Sequence, residues 1–252
     1  SGTTRRAKPG RPWPNLRADH VRQSGKVLTV RILVVTQYFW PENFRVNDLV
    51  AGLVSRGHAI TVLTGLPNYP SGRFFQGYGW RGPWLEDHAG AKVVRVPLLP
   101  RGRGGSVRLI LNYLSFVLSG IWGAAFRLRG PFDVIIVFET SPITVGIPAA
   151  FARWRFRAPI LFWVLDLWPD SLAATGAVRS PLVLGAVSRL VRWVYRRCAR
   201  VLVQSRAFIP EVARHGVLAH SLTNSRRYSR SGFRNSSRMS ATSTFVFSHS
   251  SL

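Results

Sequence analysis

The stretch "VRILVVTQYFWPENFRVNDLVAGLVSRGHAITVLTG", residues 30–65, decides the fold. Its first seven residues are rich in β-branched side chains, with Arg31 the one charge among them, and end at Gln37-Tyr38, which predicts a buried strand. Val46, Leu49, Val50, Leu53 and Val54 then recur at the spacing of one helical face. Asn43 is placed to cap the start of that helix and Gly57 to sit just past its end, where a left-handed residue is favoured. "AITVLTG" supplies a second strand after a tight turn. A strand, a helix and a strand in so short a span make a crossover, and strands joined that way run parallel.

The same alternation continues outward. Apolar runs predict further strands in "KVVRVPL" from Lys92, "DVIIVF" from Asp133, "APILFWVL" from Ala158 and "ARVLVQS" from Ala199. Helical segments are expected near 106–127, 143–153 and 181–197. The fold class that follows is α/β, a doubly wound Rossmann-like parallel sheet spanning residues 30–217. Such sheets bind ligands in the crevice beyond the carboxyl ends of their strands.

The ends read differently. Residues 1–29 mix Pro, Gly and basic residues without apolar periodicity and lack the apolar segment of a secretory signal, so a disordered basic extension is expected. From Leu218 to Leu252 the chain turns Ser- and Arg-rich, with no acidic residue and no sustained helix or strand period. The abruptness of that change predicts a shift of reading frame, with an open frame in another phase beyond codon 217. The other reading is a natural flexible tail that binds RNA or lipid.

Charge narrows the partners. The chain carries 35 Lys+Arg against 10 Asp+Glu, a net +25. About +13 of this remains when both ends are set aside, which predicts attraction to a polyanion or an anionic membrane surface. No helix-turn-helix, RNA-recognition or zinc module is present to read bases, so specific nucleic-acid binding is not expected. The single Cys198 rules out an internal disulfide framework and fits a reducing compartment.

A dinucleotide-binding reading fails at the first turn, where "TQYFWPENFRVN" is bulky and free of the glycines that let a backbone approach a pyrophosphate. P-loop, paired His/Cys metal spacing and nucleophile-elbow patterns are missing as well. The expected strand ends instead carry "TQYFWPENFR", "GLPNYPSG", "ETSPITVG" and "DLWPDS". Asp166, in the last of these, falls where the fifth parallel strand should end and points into the crevice. A carboxylate in such a place also serves as a loop tie, and Asp170 before "SLAATG" has the look of a helix cap.

In the order and content of these loops, with "RGHAITVLTG" and "VLVQS", the chain resembles the N-terminal domain of the family 4 glycosyltransferases of GT-B fold. It is most similar to the bacterial surface-polysaccharide subgroup of O-antigen and colanic-acid type. "YFWPENFRVNDL" and "DLWPDS" are the most specific parts of the match. The resemblance implies retaining transfer of a sugar from a nucleotide-sugar donor to a lipid-linked or saccharide acceptor, without cofactor or bound metal. It implies a donor-binding second domain beyond this chain, so the 252 residues alone are expected to be inactive. Asp166 would orient or polarise the acceptor hydroxyl, while Glu42, Asn43, Arg45, Asn68, Tyr69, Glu139 and Ser141 would line the acceptor side. The competing role for each of these lining residues is loop hydrogen bonding or capping.

Two segments bear on localisation, expected at the cytoplasmic face of the cell membrane. "LILNYLSFVLSGIWGAAF", residues 109–126, is apolar enough to raise the question of a span, but Asn112, Ser115 and Ser119 fit a helix pressed on the sheet or lying in an interface better. "SRLVRWVYRRCAR" alternates Arg with Trp193 and Tyr195, the pattern of an interfacial helix drawn to anionic lipid or of a solvated basic face. A non-catalytic basic α/β module that binds anionic lipid or carbohydrate is the alternative function.

Overall fold

In a computed structural model, which describes residues 29–102, 105–174, 176, 178–217 and 222–224, the expected unit forms as β1 (Arg31–Val35), α1 (Val46–Val54) and β2 (Ala59–Gly65). Next come β3 (Leu85–His88), β4 (Ala91–Val96), α2 (Ser106–Phe126), β5 (Val134–Glu139) and a 3₁₀ turn at Ile143–Val145 that runs into α3 (Gly146–Phe156). The chain continues through β6 (Ile160–Val164), α4 (Asp170–Ala174), α5 (Pro181–Tyr195), β7 (Arg200–Val203), α6 (Phe208–Arg214) and β8 (Leu222–Asn224).

The strands form one eight-stranded sheet in the order β3-β4-β2-β1-β5-β6-β7-β8, antiparallel only at the β3–β4 edge. Alternation along each strand divides its side chains between two cores. Leu33 and Val35 of β1 join Leu63, Val96, Val137 and Phe162 under α2, α3 and α5. Ile32 and Val34 face the other way, with Val62 and Val93, against Val46 and Val50 of α1. Close packing of α2 on the sheet rests on Gly123, where a Cβ would lie 2.5 Å from Val96 Cγ1.

Three local expectations change. Helix α1 begins at Val46 with Arg45 in the capping position, so Asn43 does not cap it. The entry is fixed instead by Asn47, whose Oδ1 accepts from Trp40 N at 3.1 Å and whose Nδ2 donates to Glu42 O at 2.8 Å. The β3 hairpin edge was missing from the strand pattern, because its two-residue turn uses Ala89-Gly90, both at positive φ, in place of the usual Asn-Gly signal. The segments expected to be disordered, 1–29 and 218–252, lie almost wholly outside the described residues. Where the second is described, Leu222–Asn224 pair with β7, so the sheet runs past the boundary expected at Val217.

Helix α5 turns Val191, Val194 and Tyr195 inward. Its outer side carries Arg189, Arg192 and Arg196, and the Arg197 guanidinium covers Trp193 at 3.7 Å. That exposed side mixes arginines with an aromatic ring, which both a solvated basic face and an interfacial helix carry.

Candidate functional site

The chain steps outward from β1 to β2 on one side and later crosses to β5 on the other, so the switch point lies between β1 and β5. The loops after β1, β2, β4, β5 and β6 therefore converge at one edge, where an open α/β sheet binds ligands.

Buried polar side chains hold these loops to one another. The Glu42 carboxylate, 1% exposed, accepts from Asn68 N at 2.8 Å and Tyr69 N at 2.7 Å through Oε1 and from Phe39 N at 3.1 Å through Oε2. It ties the loop after β1 to the loop after β2. Asn68 extends the brace, donating to Leu66 O at 3.1 Å and accepting from Arg101 N at 3.2 Å in the loop after β4. Gln37 Nε2 donates to Asn112 Oδ1 at 2.8 Å and so anchors α2.

Arg95, fully buried on β4, is a second anchor. Its guanidinium donates to Gly65 O at 3.1 Å and to Glu86 Oε1 from Nε at 2.7 Å, reaches Trp40 O through Nη2, and lies 4.8 Å from the Tyr78 ring centroid. One side chain thus joins the ends of β1 and β2 to the β3 edge. Sequence reasoning missed it, because a lone arginine in "KVVRVPL" reads as a solvent-facing position; its signal was Glu86 on the facing strand.

Glu42, Asn68 and Glu139, expected to line the acceptor side, are thus buried and cannot face it. Glu139 Oε2 accepts from Leu165 N at 3.2 Å and Asp166 N at 3.3 Å, while its Oε1 is buried without a hydrogen-bond partner. This carboxylate lies beneath the backbone that presents Asp166. Loop bracing explains Glu42, Asn68 and Oε2 of Glu139, whose donors are backbone N–H groups of neighbouring loops; it leaves Glu139 Oε1 unexplained.

The other expected residues are accessible. Tyr69 and Arg101 line a hollow of about 560 Å³ with Ser71, Gly105, Ser106 and Leu109, and the Arg101 guanidinium lies 5.3 Å from the Tyr69 ring centroid. Tyr69 also packs with Tyr38 and Phe44 at centroid distances of 5.8 and 5.3 Å. Arg45 lines a second hollow of about 600 Å³ with Asp48, Trp163, Leu165 and Gln204. Asn43 is exposed beside it in sequence.

Ser141 and Asp166, both half-buried, form a third group with Tyr113 of α2 and Trp168. Trp168 Nε1 donates to Asp166 Oδ2 at 2.8 Å, its ring meets Tyr113 edge-on at 6.5 Å, and, against the rise that burial gives the Tyr113 pKa, the Ser141 side chain draws it down. Asp166 lines neither hollow but follows Leu165 of the second. Arg101 and Tyr113 are the site residues that the sequence did not single out, since nothing in the spacing of α2 says which turn meets the β5 and β6 ends. Among the described residues, no three His, Cys, Asp or Glu side chains converge as metal ligands would.

Burial sets the electrostatics. It pushes the Glu42 carboxyl up to about 7, against the opposing pull of its three backbone N–H donors, and holds Glu139 well above the ordinary range. Tyr113 is raised by burial and partly lowered again by Arg101. A carboxylic acid raised on folding takes up a proton between its unfolded and folded values, so its contribution to stability is lost as pH rises through the folded value. Stability is therefore expected to fall from about pH 4.5 to about pH 7 by up to about 3 kcal/mol from Glu42, with Glu139 extending the decline upward. Thermal melts across that interval check this. Glu42→Gln, which cannot ionise, should flatten the slope; an unchanged slope would show that Glu42 is not its source.

Residues 43–223 match the family described as glycosyl transferase 4-like domain. No curated protein sequence matches the chain. Among solved structures, sucrose-phosphate synthase from Thermosynechococcus elongatus superposes with a TM-score of 0.52 at 13% identity, covering 77% of this chain and 47% of that one. The α,α-trehalose-phosphate synthase (UDP-forming) from Burkholderia vietnamiensis gives 0.47 at 16% identity, with 78% and 47% covered. Anabaena HepE, solved with UDP and glucose, gives 0.42 at 14%, with 77% and 44% covered. The chain spans about half the length of these structures.

Proposed function

Because the chain belongs to the glycosyl transferase 4-like domain family, we propose that it is the acceptor-side half of a GT-B enzyme that transfers a sugar from a nucleotide-sugar donor to a lipid-linked or saccharide acceptor. The observation that carries this reading is the grouping of Asp166, Ser141 and Tyr113 beyond the ends of β5 and β6, in a crevice whose far side presents Arg101 and Tyr69. The anomeric carbon exchanges its bond to the donor phosphate for one to the acceptor oxygen, through a state with oxocarbenium character that nearby negative charge favours. In this reading the Asp166 carboxylate, steadied by the Trp168 indole, orients the acceptor hydroxyl, and the departing phosphate takes its proton, with retention of configuration and without a metal. Tyr69 offers a ring face for a sugar and Arg101 a cation for an acceptor phosphate. The donor nucleotide is held by a second α/β domain, and the enzyme works at the cytoplasmic face of the membrane. The loops "YFWPENFRVNDL" and "DLWPDS" support a place in surface-polysaccharide synthesis.

The test is transfer of labelled sugar from a panel of nucleotide sugars to lipid-linked and free saccharide acceptors. It uses protein extended beyond β8 by a donor-binding second domain. Transfer is expected from the extended protein only. Turnover by the 252-residue chain alone would overturn the two-domain part of the proposal, and saccharide binding without transfer by the extended protein would favour a non-catalytic module.

A further inference from the structure

Helix α2 is apolar on the side where a surface helix is usually polar. Its 21 residues pack on the sheet and α3 through Phe116, Val117, Gly120, Gly123 and Ala124. The polar side chains that a solvent face would carry turn inward or back on the helix. Asn112 is fully buried between Gln37 and Leu99 O, Ser115 Oγ accepts from Leu99 N at 2.9 Å, and Ser119 Oγ donates to Phe116 O at 3.4 Å. Outward stand Val107, Ile110, Leu114, Leu118, Trp122 and Phe126, at steps of three and four residues; Val107 is 72% exposed, Leu118 70% and Phe126 74%. A single exposed leucine is ordinary, but a continuous apolar stripe roughly 30 Å long marks a surface that something covers.

Charge around the stripe points to what covers it. From Ala89 to Phe132 and from Thr140 to Leu165 the chain has no Asp or Glu. Arg108 lies on α2 itself, and Arg127 just beyond its end stacks on Trp122 at 4.8 Å and on Trp84 at 5.1 Å. The neighbouring α3 exposes Arg153, Arg155 and Trp154, the last 75% exposed. Apolar side chains with arginines and tryptophans on the same helix and its neighbour complement a layer of anionic headgroups over acyl chains. A transmembrane path is incompatible with the packing, since the inner face of α2 is sealed to the sheet at Gly123.

We propose that the outward face of α2 docks this domain on an anionic lipid bilayer, with the helix lying in the interfacial plane. The stripe leads to the crevice: Val107 and Leu111 line a mostly apolar hollow of about 740 Å³ with Gly105 and Ser106, and those two residues also line the hollow that holds Tyr69 and Arg101. Docking through α2 therefore sets the mouth of the crevice close to the headgroups. The docking face is independent of the transfer reading and survives its failure.

Flotation of the 252-residue protein with phosphatidylcholine vesicles, with and without phosphatidylglycerol, tests this. Binding is expected to the phosphatidylglycerol vesicles, at least about tenfold weaker in Leu114→Ser/Leu118→Ser, with the thermal midpoint of that variant unchanged because both positions are exposed. Equal binding by the variant would assign the attraction to basic charge elsewhere and overturn the proposal. So would the absence of binding at low salt, protein that alkaline carbonate fails to release, or a dimer without lipid that the double substitution abolishes. The last result would mean that a second copy covers the stripe.

Discussion

Replacement of Arg95 by methionine is expected to cost about 3–5 kcal/mol of folding stability, measured by urea unfolding at neutral pH. Methionine follows much of the arginine path but supplies no donor. The substitution leaves the Glu86 carboxylate with only the Tyr78 hydroxyl, at 3.1 Å, and takes the guanidinium donors from the Gly65 and Trp40 carbonyls. Because the Arg95 side chain is fully buried and Glu86 is only 20% exposed, water cannot readily replace what is lost. Arg95→Lys keeps the charge but not the planar fork and should fall between methionine and the native residue. Adding Glu86→Leu to Arg95→Met should recover part of the loss, since an unpaired buried charge is the larger part of the penalty. A loss below about 1 kcal/mol for Arg95→Met would mean that the loops at the crevice are held without this arginine.

Substitution of Asp166 by asparagine is expected to lower kcat for sugar transfer by about 10²–10³, with the donor KM little changed, in protein carrying both halves. Asparagine keeps the shape and can still accept from the Trp168 indole, but it loses the negative charge proposed to act at the acceptor hydroxyl. Trp168→Phe separates the two roles, because it removes the indole donor and leaves the carboxylate. If Asp166 only ties down the bend, Trp168→Phe should reduce stability as much as Asp166→Ala does, and Asp166→Asn should leave kcat unchanged. If the carboxylate orients the acceptor, Asp166→Asn should cost rate with the fold intact, and Trp168→Phe should cost less.

The resemblance that the loops carried was to a family, and the match over residues 43–223 places the chain there. The same loops misdirected the assignment of individual side chains. Glu42, Asn68 and Glu139 stand at strand ends, where a ligand-facing polar group and a loop-bracing polar group look alike in sequence. The difference lies in whether backbone N–H groups of other loops come within reach, and Glu42 meets its partners 26 and 27 residues away. In α2, Asn112, Ser115 and Ser119 were legible as polar positions in an apolar helix. That they turn toward the domain and leave the apolar stripe outside follows from where Gln37 and the Leu99 backbone lie.

The amino-acid sequence by itself determined the first strand–helix–strand unit and the mostly parallel layout, because the residues from Val30 to Gly65 repeat with the periods of a strand and a helix and those periods depend on near neighbours alone. It also set the rim of the crevice, since strand ends follow directly from the elements. Tertiary structure alone decided which rim side chains face outward, which guanidinium is buried and which side of α2 is left uncovered. Those outcomes turn on contacts between residues far apart in the chain, where burial satisfies a polar group only when a distant partner arrives with the right geometry.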